Sequence, residues 1–300
     1  MHHFVTTYFE GGCNEASLDM EGEMIWAWAP GVEPLAYPEG TAFRITDDDG
    51  NPGCVCMQTH YDNPLHKEGK RDGSGVDFYY TSTPPEQEVG ILQLGDPSLA
   101  LAGLDIPGGR TSEVMITCPG DCTNQWPGPI TVFSQQLHMH QVGAYMTVEQ
   151  YRGGKQVYNS TLEFYSFAFQ DKVRRPKGFQ FDIRPGDDLL VHCVWQNDGR
   201  DDRSIGQASD EEMCISFLYY YPRMAPELQS CGTGTECEGD VSGGSNYPLD
   251  AADYRHFGVR PAHKLTADPG QCVSSVSSAT TLGAGTIAGL VAVAALGLGW

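Results

Sequence analysis

Phe133-Ser134-Gln135-Gln136-Leu137-His138-Met139-His140, taken with Glu211-Glu212-Met213-Cys214, decides how this chain is read. Phe133, Leu137 and Val142 among polar neighbours predict a strand, and side chains two apart on a strand share a face. His138 and His140 then project the same way, which is the start of a metal site on rigid backbone. A bare His-x-His is more often an exposed polar face. Its neighbours carry the argument.

Short runs of the same kind fill the rest of the chain. Trp26 and Trp28 alternate with alanines, residues 41–45 precede a turn-rich 47–53, and further runs follow at 54–61 and 76–81. Past Ile106-Pro107-Gly108-Gly109, strands are predicted at 114–117, 131–140, 145–151, 162–169, 179–183, 188–195 and 214–221. No convincing amphipathic helix precedes residue 230, and there is no Gly-rich phosphate loop. The expectation is an all-β protein of two tandem antiparallel, jelly-roll-like β-sandwich domains, 1–108 and 109–230. Residues 231–278, rich in Gly, Ser, Asp and Pro, read as a loop-rich stalk. Residues 279–300 are uncharged and long enough to span a bilayer. With Ser274, Ser275, Ser277 and Ser278 ahead of them they equally fit a lipid-anchor signal.

Composition narrows the partners. A net charge of −21 argues against nucleic acid and anionic membrane surfaces. Ten cysteines point to disulfides formed in the secretory pathway or outside the cell, and the sequon Asn159-Ser160-Thr161 fits that address as a glycosylation site. The chain opens on Met1-His2-His3-Phe4 without a signal peptide, so the secreted reading expects residues upstream.

The remaining metal candidates are His2, His3 and His60. Gln58 lies on the face of His60, placed to orient bound water or a ligand. Adjacent histidines on a strand face opposite ways, so His2 and His3 reach one ion only where the backbone twists or bulges. With His138, His140 and Met213 these residues form an all-nitrogen set and a His-His-Met set. Imidazole suits both copper oxidation states, whereas a thioether favours Cu(I).

At this point a resemblance becomes specific. His2-His3-Phe4, Gln58-Thr59-His60-Tyr61, Ser134 to His140, Pro185-Gly186-Asp187-Asp188, His192-Cys193-Val194 and Glu211 to Cys214 running into Tyr219-Tyr220-Tyr221-Pro222 occur in one order over residues 2 to 231. In this the chain resembles the copper type II, ascorbate-dependent monooxygenases, the family of dopamine β-hydroxylase, tyramine β-hydroxylase and peptidylglycine α-hydroxylating monooxygenase. The resemblance implies two coppers per chain, an electron-transfer copper on His2, His3 and His60 and an oxygen-binding copper on His138, His140 and Met213. It also implies ascorbate as electron donor, O₂ as co-substrate, and hydroxylation of an activated C–H. Cys193 and Cys214 match a family disulfide; Cys118 is expected to pair with Cys231, and Cys122 with Cys237 or Cys272. Cys54 and Cys56 are the nearest candidates for Cys13. His192 falls where relatives carry non-ligand residues and is read as a strand residue. The family's first domain begins well before its His-His pair, so the first sandwich here is expected to be incomplete.

Substrate class follows from departures. The peptidylglycine branch carries an Arg two residues before the first His of His-x-His, and an Asn and a Tyr after the Met ligand. Gln136, Ile215 and Phe217 stand there instead, without a bidentate carboxylate clamp. The expected substrate is a small, aromatic amine, with the chain anchored to a membrane through its C-terminus. Asp210, Glu211 and Glu212 read as solvated carboxylates. The rival readings are a non-catalytic extracellular copper-binding or adhesion module and a peptidylglycine-type hydroxylase.

Overall fold

Strand Ile215–Tyr221 is the wall shared by two apolar cores. Leu218 and Tyr220 point into one core with Leu92, Leu137, Val191 and Trp195; Ile215, Phe217 and Tyr219 point into the other with Phe4, Tyr8, Trp26 and Trp28. That is period-two alternation with both faces buried, which is why the run reads as continuously apolar. The computed structural model describes residues 3–10, 22–47, 50–63, 65–170 and 178–235, and the backbone of 241–243 and 292–295. It is all-β: among the described residues the only α-helix is the four-residue Gly120–Thr123.

The larger core lies between two five-stranded sheets. One runs in the order Lys155–Leu162, Gly143–Arg152, Asp188–Asn197, Arg110–Cys118, Val241–Gly243; the other Phe181–Ile183, Ile130–His138, Ile215–Tyr221, Gly90–Gly95, Ser230–Gly232. Neighbours are antiparallel except Ser230–Gly232, which lies parallel to Gly90–Gly95. Sheet membership therefore crosses the expected division at Ile106–Gly109, because Gly90–Gly95 hydrogen-bonds with Ile215–Tyr221. The smaller core sits under a three-stranded sheet, Glu23–Trp28, His3–Phe9 and Cys54–His60.

One irregularity sets the direction of the histidines. Val132 pairs with Tyr220 and Ser134 with Tyr219, leaving Phe133 as an extra residue in its strand. Before the bulge, Ile130 and Val132 face the larger core. After it the parity is reversed: Leu137 faces that core, while Gln136 and His138 pair with Phe217 and Ile215 and face the smaller one. Without the bulge His138 would point into the larger core.

The expected strand over 162–169 is displaced. The strand is Lys155–Leu162, paired back onto Gly143–Arg152 from Arg152↔Lys155 onwards. Gly153 and Gly154, with φ of 56° and 74°, form a two-residue turn in the left-handed region that glycine enters without strain, so the return strand starts at once. Residues 163–170 are left as a loop whose Tyr165 is buried in the core.

Pro185-Gly186-Asp187-Asp188 proves to be a structural latch. Asp187 is 1% exposed and takes two hydrogen bonds of 2.7 Å from Arg152, one from Gln150 and one from the Arg184 N–H. Burial alone raises its pKa, but the bonds from Arg152, the Arg184 N–H and Gln150 outweigh burial and hold the carboxyl below the usual range. Asp187→Ala is therefore expected to cost about 3 kcal/mol, read by urea denaturation. Because folding depresses this pKa, the contribution is complete above the unfolded value of about 3.9 and is lost as pH falls through the folded value. The deficit of the variant should accordingly shrink in acid.

Candidate metal centre

His3 opens its strand directly opposite His60, and their ring centres are 4.1 Å apart. Antiparallel partners share a face, so this closeness follows from register alone. His138 closes the strand after the Phe133 bulge; its ring centre lies 6.3 Å from His3 and 5.1 Å from His140. Met213 has the same parity as Ile215 and Phe217 and therefore reaches the same side of the shared wall. His3, Gln58, His60, Gln136, His138 and Met213 all line one cavity of about 300 Å³ between the two cores. His140 is fully buried behind His138. His2 lies outside the described residues. Among those described, no three His, Cys, Asp or Glu side chains form a metal cage. What converges is two pairs of imidazoles and a thioether.

Each of three rings turns one nitrogen to an oxygen acceptor. His138 Nδ1 donates to Gln170 Oε1 at 2.8 Å, His140 Nδ1 to the Glu211 carbonyl at 3.0 Å, and His60 Nε2 to Gln58 Oε1 at 2.6 Å. Each of these partners is acceptor-only at that atom, so the opposite nitrogen of each ring keeps its lone pair. Burial also lowers the pKa of His60 and of His140, which favours the neutral form that binds metal. Neutral imidazoles locked by oxygen partners, beside a thioether, are donor chemistry that suits copper.

Gln58 thus orients the ring of His60. Gln170 was not legible in the sequence: it lies 32 residues from His138 and nothing local links the two. Its backbone N–H donates to the Pro30 carbonyl at 2.6 Å, tying this loop to the turn after strand Glu23–Trp28.

Glu212 corrects the expectation of solvated carboxylates at 210–212. It is 1% exposed, and its oxygens accept from the N–H groups of His140 at 3.0 Å and Val142 at 2.6 Å. Burial pushes its pKa up to about 7 despite those two bonds. It holds the turn that carries His140. Glu212→Ala leaves two buried N–H groups without their acceptor and should cost about 2–5 kcal/mol in urea denaturation. Glu212→Gln, which keeps an acceptor oxygen, should cost clearly less.

The cysteines organise the same region. Cys193 is bonded to Cys214, next to Met213, and Cys118 to Cys231. Cys54 and Cys122 are also disulfide-bonded, and Cys56 is a free thiol. Cys13, Cys237 and Cys272 lie outside the described residues. His192 bonds Glu113 at 2.9 Å, away from the cavity.

Comparison with known proteins agrees with this geometry. The sequence model described as "Copper type II ascorbate-dependent monooxygenase, C-terminal domain" matches residues 87–238. Tyramine beta-hydroxylase of Caenorhabditis briggsae is 31% identical over 232 residues, 74% of this chain and 38% of that protein. Dopamine beta-hydroxylase of Equus caballus is 33% identical over 235 residues, 73% of this chain and 37% of its own length. DBH-like monooxygenase protein 2 of Mus musculus is 30% identical over 224 residues, 73% and 35% respectively. The chain spans well under half the length of these relatives. With the family model covering half of it, and His138, His140 and Met213 inside that match, the chain belongs to the copper type II, ascorbate-dependent monooxygenases.

Proposed function

We propose that this chain hydroxylates an activated C–H of a small amine with an aromatic body, using O₂ and two electrons from ascorbate. The observation that carries the reading is the convergence of His3 and His60 with His138 and Met213 on a single cavity. Copper held by His2, His3 and His60, and by His138, His140 and Met213, would supply the one-electron transfer and O₂ activation that no side chain provides. The chain's own part is orientation: Gln58, Gln170 and the Glu211 carbonyl each fix one ring. Phe217 and Trp28 offer the cavity apolar faces on which an aromatic body packs while water is excluded. Gln136 occupies the wall where a carboxylate-binding Arg would stand, which favours an amine over a glycine-extended peptide. Two of the relatives are likewise named for hydroxylating tyramine and dopamine.

The location proposed is the secretory pathway or cell exterior. Its support is the set of disulfides and the exposure of Asn159 on the outer strand Lys155–Leu162. Among the described residues no helix is long and apolar enough to cross a membrane. Of 279–300, expected to be the anchor, only the backbone of Ala292–Ala295 is described, as a short strand. C-terminal membrane anchoring remains a proposal resting on the sequence. The test of function is incubation of the copper-loaded chain with ascorbate, ¹⁸O₂, phenylethylamines and glycine-extended peptides, with products read by mass spectrometry. Label in an amine supports the reading; label in the peptide alone overturns the substrate class, and label in neither overturns the activity.

A further inference from the structure

A second cleft, of about 720 Å³, lies on the other side of His60. Gln58, His60 and Gln207 line both spaces, so these three side chains form the partition between them. The inner cavity is bordered by Trp28, Met213 and Phe217; the outer cleft is bordered by Tyr61, Asn63, His66, Gln141 and Arg203. The two spaces therefore suit chemically different molecules, one with an apolar body and one rich in hydroxyl groups. The histidine common to both belongs to the ligand set without methionine.

We propose that the outer cleft is the docking site of the reductant, a hydroxylated enediolate monoanion of the ascorbate type. This rests on the monooxygenase reading and assigns its electron donor a place. Arg203 supplies the guanidinium, and its Nη1 donates to the Asp210 carbonyl at 2.7 Å, which holds the fork in position. Amide groups of Gln141 and Gln207 match a polyol side chain, while Asn63 is held at both ends by the Lys67 backbone and shapes the rim. Charge limits the class. Asp62 and Asp210 also border the cleft, and the whole chain carries −21, so a single guanidinium offsets repulsion for a monoanion but not for a phosphate or dicarboxylate. Each donor gives up one electron and one proton and leaves as its radical anion. The electron would pass to copper held by His3 and His60, and the proton to solvent. Two donors supply the two electrons that, with two protons, reduce one oxygen atom of O₂ to water while the other enters the substrate. Donor and substrate can then be bound at once, because His60 and Gln58 keep them in separate compartments.

The test titrates ascorbate into the full metal-free chain by calorimetry. In parallel, anaerobic reduction of the copper-loaded chain is followed by loss of the Cu(II) EPR signal against ascorbate concentration. Arg203→Gln should weaken both half-saturation points by about tenfold, with Arg203→Lys recovering part of the loss. Asp62→Asn removes a repulsive charge and should strengthen both several-fold, an effect that misfolding cannot mimic. Lys155→Gln, on the far sheet, removes a positive charge and should leave both unchanged. Parent-like saturation in Arg203→Gln, weaker saturation in Asp62→Asn, or no ascorbate binding to the parent would each overturn the proposal. If ¹⁸O still enters an amine in those cases, the cleft assignment alone has failed; if no label enters any substrate, the monooxygenase reading has failed with it.

Discussion

Replacing His138 by alanine is expected to reduce bound copper from two ions per chain to one, and hydroxylation by on the order of 10⁴-fold. The loss should be this large because His138 stands at the meeting point of both proposed ligand sets, 5.1 Å from His140 and 6.3 Å from His3 between ring centres. Its Nδ1 is held by Gln170 Oε1, which fixes the ring so that Nε2 is the nitrogen left to serve a metal. The fold should survive, since the side chain lines a cavity rather than filling a core. Copper analysis and EPR on the purified variant check the first part, and turnover with the amine the second. A His138→Ala chain that still binds two coppers would remove His138 from the centre.

The largest stability effect is expected at Cys118–Cys231. The bond closes a loop of 113 residues, and in the chain-entropy account its removal costs about 5 kcal/mol. Cys193–Cys214, separated by 21 residues, contributes about 3 kcal/mol on the same scale. The longer bond also ties Ser230–Gly232, the parallel edge strand of one sheet, to Arg110–Cys118 of the other. A chain with Cys118→Ala and Cys231→Ala should therefore unfold at markedly lower urea concentration than one with Cys193→Ala and Cys214→Ala. The second variant should instead show the greater loss of copper at the methionine-bearing set, because Cys214 adjoins Met213. Equal unfolding midpoints for the two would contradict this ordering.

Much of this was legible in the sequence where a local rule governs. Alternation of apolar residues gave the strand at 214–221, and Ile215 and Phe217 do face one side while Leu218 and Tyr220 face the other. Residue type and order singled out the histidines, and register then places His3 opposite His60. Features set by long-range geometry were not legible. The bulge at Phe133 carries no turn residue to announce it, yet it decides which core His138 faces. Gly153-Gly154 was legible in principle as a two-residue hairpin, but the aromatic run at 164–169 drew the strand assignment seven residues too late. Glu212 reads as a surface acid because it follows Asp210 and Glu211; only the turn at 139–142 folding over it makes it a buried acceptor. Gln170 depends wholly on tertiary contact.

Copper-edge anomalous diffraction from crystals of the copper-loaded chain addresses the two-centre arrangement most directly. The expected result is two peaks, one beside the facing rings of His3 and His60 and one among His138, His140 and Met213, the second disappearing in His138→Ala. A single peak shared by all of these side chains, or peaks at other residues, would contradict it.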